Sequence, residues 1–298
     1  GRMPSGALAG PNYTLTAPDF PLHQLADYTN RNSQLISTTN DAVSSQGYYD
    51  ADFFGVMIFG LQDLCSKADG TLFRAGKFPA RQVEPRNTPT VINAAYNRRQ
   101  FWDVRASNLF NGVSPFGAGD ENARVLIASD RGKIRQTKIR IDNAGLASQA
   151  VGPPLSDREM GSLGRKFRDI GKRLAPARPL RKQHVAADDS VLGSRARNAA
   201  EKYRDEFGDR GLDTTYRALV EAAFQPRWWQ SEDIVVVLPD ERIDFERMPR
   251  RPLRASEYTM LEYNFSLFFG LAVQLYEMTL ISDDAPVDRH FEGDTRAL

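Results

Sequence analysis

The segment from Ser256 to Leu275 constrains this chain more than any other. Tyr258, Leu261, Phe265, Phe268, Ala272 and Leu275 recur at helical spacing, and the residues between them are also largely apolar. A helix with one apolar stripe can lie on a surface, but a helix that is apolar all round must be covered on every side. The segment is therefore predicted to be a helix deep in the core, beginning at Ser256. Its most apolar part, Phe265 to Leu275, is interrupted by Gln274 and is too short to span a bilayer. At 298 residues the chain can surround such a helix with a sizeable core, as one large domain or two modest ones.

Charge excludes some functions. The 39 Lys and Arg residues nearly balance the 38 Asp and Glu residues, so no overall field favours nucleic acid or a membrane surface. Cys65 is the one cysteine, which rules out an internal disulfide. The opening Gly1-Arg2-Met3-Pro4-Ser5-Gly6 lacks the charged start and apolar centre of a signal peptide. Both ends read as cuts within a longer protein or as those of a mature subunit.

Further helices are predicted over Thr88–Asn97, with Pro89 in the first turn, and from Ser156 to about Leu174. The second is opened by Ser156-Asp157-Arg158-Glu159, which has capping-box spacing. Ser194–Phe207 and Thr214–Phe224 are amphipathic helices by the same criterion. Alternation in Ile134 to Ile141, after Asp130-Arg131-Gly132, predicts a β-hairpin with the strand from Arg124. Residues 1–50 read as extended loop, 51–60 as a buried strand or short helix, and 230–254 as a polar, proline-containing connection holding the short apolar run Ile234 to Leu238. The expected fold class is mainly α, with long loops and a single β-hairpin near 124–142. Arg165, Lys166, Arg168, Lys172, Arg173, Arg178, Arg181 and Lys182 form a basic patch, either a solvated helix face or a docking surface for an acidic partner.

Chemistry is not evident from spacing alone. His23, His184 and His290 are scattered and lack metal-ligand spacing, and there is no phosphate-cradling glycine loop or nucleophile elbow. Composition and spacing by themselves indicate a mostly helical, soluble protein.

One run is more specific. Arg86-Asn87-Thr88-Pro89-Thr90-Val91-Ile92-Asn93-Ala94-Ala95-Tyr96-Asn97, followed by Phe101-Trp102-Asp103-Val104-Arg105-Ala106, resembles the signature of the bacterial di-haem cytochrome c peroxidases, which include the MauG-type enzymes. Weaker similarity runs from Gly10 to Asn143, then through 152–156, 189–193 and the final helix. The resemblance implies a cytochrome c peroxidase-like helical assembly. Residues 1–150 would be the loop-rich part of the N-terminal haem-domain region, and 151–298 a helical inter-haem region. It implies peroxide reduction or peroxide-driven oxidation, haem c, calcium, and a periplasmic or secreted location.

The same resemblance assigns roles. Asn87 falls where the family supplies an amide oxygen to calcium, which takes several oxygen ligands; read without the family, it caps the helix near Thr88. Trp102 falls where an indole relays electrons between haems; without haems it is a large core residue beside an Asp103–Arg105 ion pair. Asn111, Pro115 and Glu121 match residues around the peroxide-binding face, with Glu121 as the group that moves a proton. Otherwise Glu121 is an ordinary surface carboxylate. Asn111 stands where the family has Gln, and Val104 where it usually has Gly.

Covalent haem attachment needs a Cys-x-x-Cys-His motif, and Cys65 is followed by Ser66, Lys67, Ala68 and Asp69. No histidine occurs between Thr71 and Pro85, where many family peroxidases carry a distal one, and MauG-type enzymes also leave that haem open. His23 and His184 are the candidate axial ligands. The chain thus resembles the segment between the two haem motifs. Its haem c would come from flanking motifs or a partner chain, and its partners would be the rest of a haem-bearing polypeptide, or a haem-bearing subunit, and a redox protein. The alternative is a haem-free descendant serving as a binding or structural subunit.

Overall fold

The computed structural model describes residues 18, 23–27, 29–38, 51–57, 63–66, 74–75, 78–79, 88–129, 132–197 and 208–298. These fall into two compact units. One takes its described residues from 1–53, 65–89 and 153–164, the other from 54–64, 90–152 and 165–298.

In the smaller unit, β1 (His23–Leu25) pairs antiparallel with β2 (Leu35–Thr38), and β5 (Arg74–Ala75) with β6 (Phe78–Pro79). A parallel bridge joins Asp52 to Leu163, where Phe53 donates its amide to the Leu163 carbonyl at 2.9 Å. β3 (Phe53–Val56) and β4 (Asp63–Cys65), most of whose residues belong to the larger unit, form a further two-stranded pair.

The larger unit contains the expected hairpin: β7 (Val125–Ala128) runs antiparallel to β8 (Ile134–Thr137), with Val125 opposite Thr137. Helices α1 (Gly145–Ala150), α2 (Phe167–Leu174) and α3 (Tyr216–Ala223) follow. Next comes a sheet of order β10-β9-β11, made of β9 (Asp233–Val237), β10 (Ile243–Arg247) and β11 (Glu257–Tyr258). Helices α4 (Met260–Tyr263), α5 (Phe265–Glu277) and α6 (Pro286–Phe291) end the described chain.

The mainly α expectation is therefore corrected. Helix, 3₁₀ turns included, accounts for 27% and strand for 17%, with six short α-helices and several small sheets among the described residues. Each departure has a local cause. Between Ser156 and Gly161 the chain turns back on itself, and the amides of Glu159, Met160 and Gly161 all bond to the Ser156 carbonyl. Gly164 then has φ +87, so α2 starts only at Phe167, where Asp169 Oδ2 accepts the Lys166 amide at 2.9 Å. Over 88–97 only the 3₁₀ turn Ala94–Tyr96 forms, because Asn93 sits at φ 60 with its amide bonded to the Leu280 carbonyl. The stretch 230–254 is a hairpin in place of a connection: Ile234, Val235, Val236 and Val237 are β-branched and pair with 243–246. Ser194 opens no long helix; Gly193–Arg195 is a 3₁₀ turn, and 198–207 lies outside the described residues. The final helix begins at Met260, after a capping box in which Thr259 Oγ1 accepts the Glu262 amide and Glu262 Oε2 accepts the Thr259 amide.

Burial of α5 holds at its amino half. Phe265, Leu267 and Phe268 are buried with Phe110, Ala147, Val151, Phe167 and Ile170, whereas Leu275 and Tyr276 are exposed. Two glycines permit this packing: a Cβ on Gly270 would lie 2.8 Å from Phe110 Cζ, and one on Gly171 would lie 2.4 Å from the Glu262 carbonyl. Polar side chains around α5 fix the surrounding loops. Asn264, 1% exposed, accepts the Leu126 amide and donates to the Leu126 and Trp228 carbonyls, each at 2.8 Å. Ser266 donates to the Gly112 carbonyl at 2.7 Å, while Gln274 accepts the Ala147 amide at 3.0 Å and donates to the Asn143 carbonyl at 3.2 Å.

Arg165, Arg168, Lys172 and Arg173 of the basic patch are committed to internal contacts. Arg165 and Arg173 share the buried Asp63 carboxylate at 3.1 and 2.9 Å, and Arg168 pairs with Glu241 at 2.7 Å. Lys172 donates to the carbonyls of Arg254, Ala255 and Glu257, and burial lowers its pKa despite the nearby carboxylates. Glu257 itself is gripped by both terminal nitrogens of Arg251 at 2.7 Å.

Two outcomes follow for stability. Asn264→Ala leaves three buried backbone groups unpartnered and is expected to cost roughly 2–4 kcal/mol, read by denaturant unfolding. The Arg251 hydrogen bonds hold the Glu257 pKa at about 2 against an unfolded value near 4.5, despite burial pulling it upward. A depressed folded pKa gives stability that is present above pH 4.5 and is lost as the pH falls toward 2. Glu257→Gln is expected to lower Tm at pH 7 and to flatten the acid limb of the Tm-against-pH curve over that interval.

Candidate functional site

Trp102 stands at the tip of a tight turn whose base is an antiparallel bridge between Gln100 and Ala106. Gln100 is 4% exposed and donates from Nε2 to the Ala94 carbonyl at 2.8 Å, so the base is anchored to the preceding 3₁₀ turn. The tip is strained: Phe101 has φ 66 and Val104 φ 54, both left-handed. Arg105 braces it, donating to Asp103 Oδ2 at 2.9 Å and lying 3.9 Å above the Phe101 ring. Burial pulls the Asp103 carboxyl upward, but the hydrogen bonds and charge of Arg105 outweigh it and hold the pKa low. The result is an indole 80% exposed to solvent. The ion pair is present as expected, and Trp102 is not a core residue.

The loop that follows is built around Asn111, which is 5% exposed. Its Oδ1 accepts the amides of Val113 and Ser114 at 2.9 and 2.8 Å. Its Nδ2 donates to Ser114 Oγ at 3.1 Å and to the Gly117 carbonyl at 2.9 Å. Pro115 is buried, and its carbonyl accepts the Ser107 amide at 2.8 Å, which ties this loop to the Trp102 turn. Gly117, at φ +57, brings the loop so close that a Cβ would lie 2.4 Å from Ser107 Oγ. Glu121 ends the loop as an exposed residue, and its carbonyl accepts from Arg124 Nη1 at 2.6 Å. The structure thus gathers Trp102, Asn111, Pro115 and Glu121 on two linked loops held against α5 by the bond from Ser266 to Gly112.

The other expected residues are apart from this site. Asn87 lies outside the described residues, and His23 opens β1 opposite Thr38 with its side chain likewise outside them. His184 is exposed, with Nδ1 3.4 Å from Asp209 Oδ2. Sequence reading missed Gln100, Asn264, Ser266 and Gln274, which position both loops. The one available signal was a set of polar residues, Asn264, Ser266 and Gln274, inside an otherwise apolar helix.

A family model described as di-haem cytochrome c peroxidase matches residues 64–296. The chain belongs to the di-haem cytochrome c peroxidase family. No curated protein and no solved structure matches it.

The family implies haem c, and this chain's residues do not fit its attachment. Cys65, the sole cysteine, has Sγ 3.3 Å from Ser162 Oγ and no second thiol to complete two thioether links. Among the described residues no group of three or more His, Cys, Asp and Glu could hold a metal ion. No helix among them is long and apolar enough to cross a membrane.

The Trp102 turn gives a direct test. A β-branched residue in the left-handed region costs about 1–2 kcal/mol, which glycine avoids. Val104→Gly is expected to stabilise the chain by about 1 kcal/mol in denaturant unfolding, with Trp102 remaining as exposed to acrylamide quenching as before.

Proposed function

We propose that this chain is the inter-haem portion of a MauG-like di-haem peroxidase, exported to the periplasm or beyond, and that Trp102 is its electron relay. The observation that carries the reading is the exposure of Trp102. An apolar ring of this size gains from burial, yet the chain holds it at 80% exposure on a strained, ion-paired turn. An indole presented in this way can lose and regain an electron at a surface where another redox group docks. Haem c would be supplied by flanking sequence or by a haem-bearing subunit, since this chain has no means of attaching it. Asn87 as a calcium ligand belongs to the same reading.

Glu121 is the proposed proton carrier for peroxide chemistry, because it is exposed at the end of the loop that Asn111 and Pro115 shape. With its side-chain amide engaged by the loop itself, Asn111 acts by holding Glu121 in place. A second redox protein is the proposed electron donor.

The test combines identity and activity. Intact mass and Soret absorbance are measured for the product of the whole gene, with peroxide turnover for Trp102→Phe and Glu121→Gln. The reading expects a haem-bearing product, loss of most turnover in both variants, and unchanged Soret bands. A product of this chain's mass with neither haem nor a haem-bearing partner would instead establish the binding or structural subunit.

A further inference from the structure

A separate cleft of about 470 Å³ opens beside the base of the Trp102 turn, between residues 95–98 and the facing surfaces of α1 and α5. Its volume lies in the range of small-molecule sites. It is lined by Tyr96, Arg98, Asn108, Asn143 and Met278 among others, and no carboxylate is in its lining among the described residues. Arg98 is exposed and makes no ion pair or side-chain hydrogen bond among those residues. Arg98 is thus the one cationic residue of the lining, uncommitted among the described residues, and its guanidinium suits bidentate binding of a carboxylate.

Around that cation the polar groups are carboxamides. Asn108 and Asn143 touch only loosely, with Nδ2 to Oδ1 at 3.5 Å, which leaves donors and acceptors of both for a ligand. Asn143 is held in the left-handed region at φ 54, and its carbonyl is fixed by Gln274 Nε2. The Gln274 bond fixes the backbone from which the Asn143 side chain projects. Gly145 completes the wall, because a Cβ there would lie 3.2 Å from the Arg98 carbonyl. Tyr96 and Met278, 69% and 48% exposed, add an aromatic and a thioether surface.

A guanidinium, paired amides and an exposed ring are the groups that recognise a carboxylate, adjacent hydroxyls and a C–H face. We propose that this cleft binds a small hydroxylated carboxylate of the sugar-acid class. The proposal is independent of the haem reading and needs no cofactor.

Isothermal titration of the chain with galacturonate, galactose and inorganic phosphate tests it. Galacturonate is expected to bind with Kd below about 1 mM, and galactose and phosphate at least about tenfold more weakly. Arg98→Ala is expected to weaken galacturonate by at least about tenfold. Its thermal melt should be unchanged, since among the described residues the Arg98 side chain makes no ion pair or hydrogen bond. Absence of galacturonate binding, equal binding of galactose or phosphate, or full affinity in Arg98→Ala would each overturn it.

Discussion

The carboxamide of Asn264 is the contact on which the larger unit depends. It sits at the junction of α4 and α5, completes both backbone groups of Leu126 in the β7–β8 hairpin, and also holds the Trp228 carbonyl. A short hairpin is marginal alone and needs a surface to pack against. Here that surface is apolar, and one amide fixes where along it the hairpin lies. Ser266, two residues on, and Gln274, about three turns on, repeat the device at the Gly112 loop and at the start of α1.

This arrangement explains how a chain with so little regular structure presents defined loops. The loops carrying Trp102 and Asn111 have few ladders of their own, so their positions come from side chain-to-backbone bonds and from glycines that allow close approach. Such bonds are costly to leave half-made in a buried setting. The same logic accounts for the basic residues near α2. Arg165, Arg168, Lys172 and Arg173 bind carboxylates or carbonyls of distant segments, so much of what reads as surface charge in sequence is internal bracing.

The sequence disclosed what depends on neighbours in the chain. The 124–142 hairpin follows from alternation around a glycine turn, the helix at 216–223 from its apolar spacing, and the Asp103–Arg105 pair from adjacency. The family was legible because its signature is a run of specific residues. Elements that depend on remote partners were not legible. Asn93 takes a left-handed conformation because Leu280 and Ser282 receive it, and that conformation ends any helix over 88–97. The strand at 233–237 was readable from its β-branched run but was obscured by the prolines on both sides. The exposure of Trp102 was hidden as well, since it arises from two left-handed residues that no pattern marks.

The proposed role of Trp102 is that of an accessible electron carrier held outward by its turn. Transient absorption after photo-oxidation by a soluble ruthenium complex tests it most directly. The account predicts a tryptophan radical signal that Trp102→Phe abolishes and that a variant lacking the half-buried Trp228 and Trp229 retains. A signal unchanged in Trp102→Phe would contradict it.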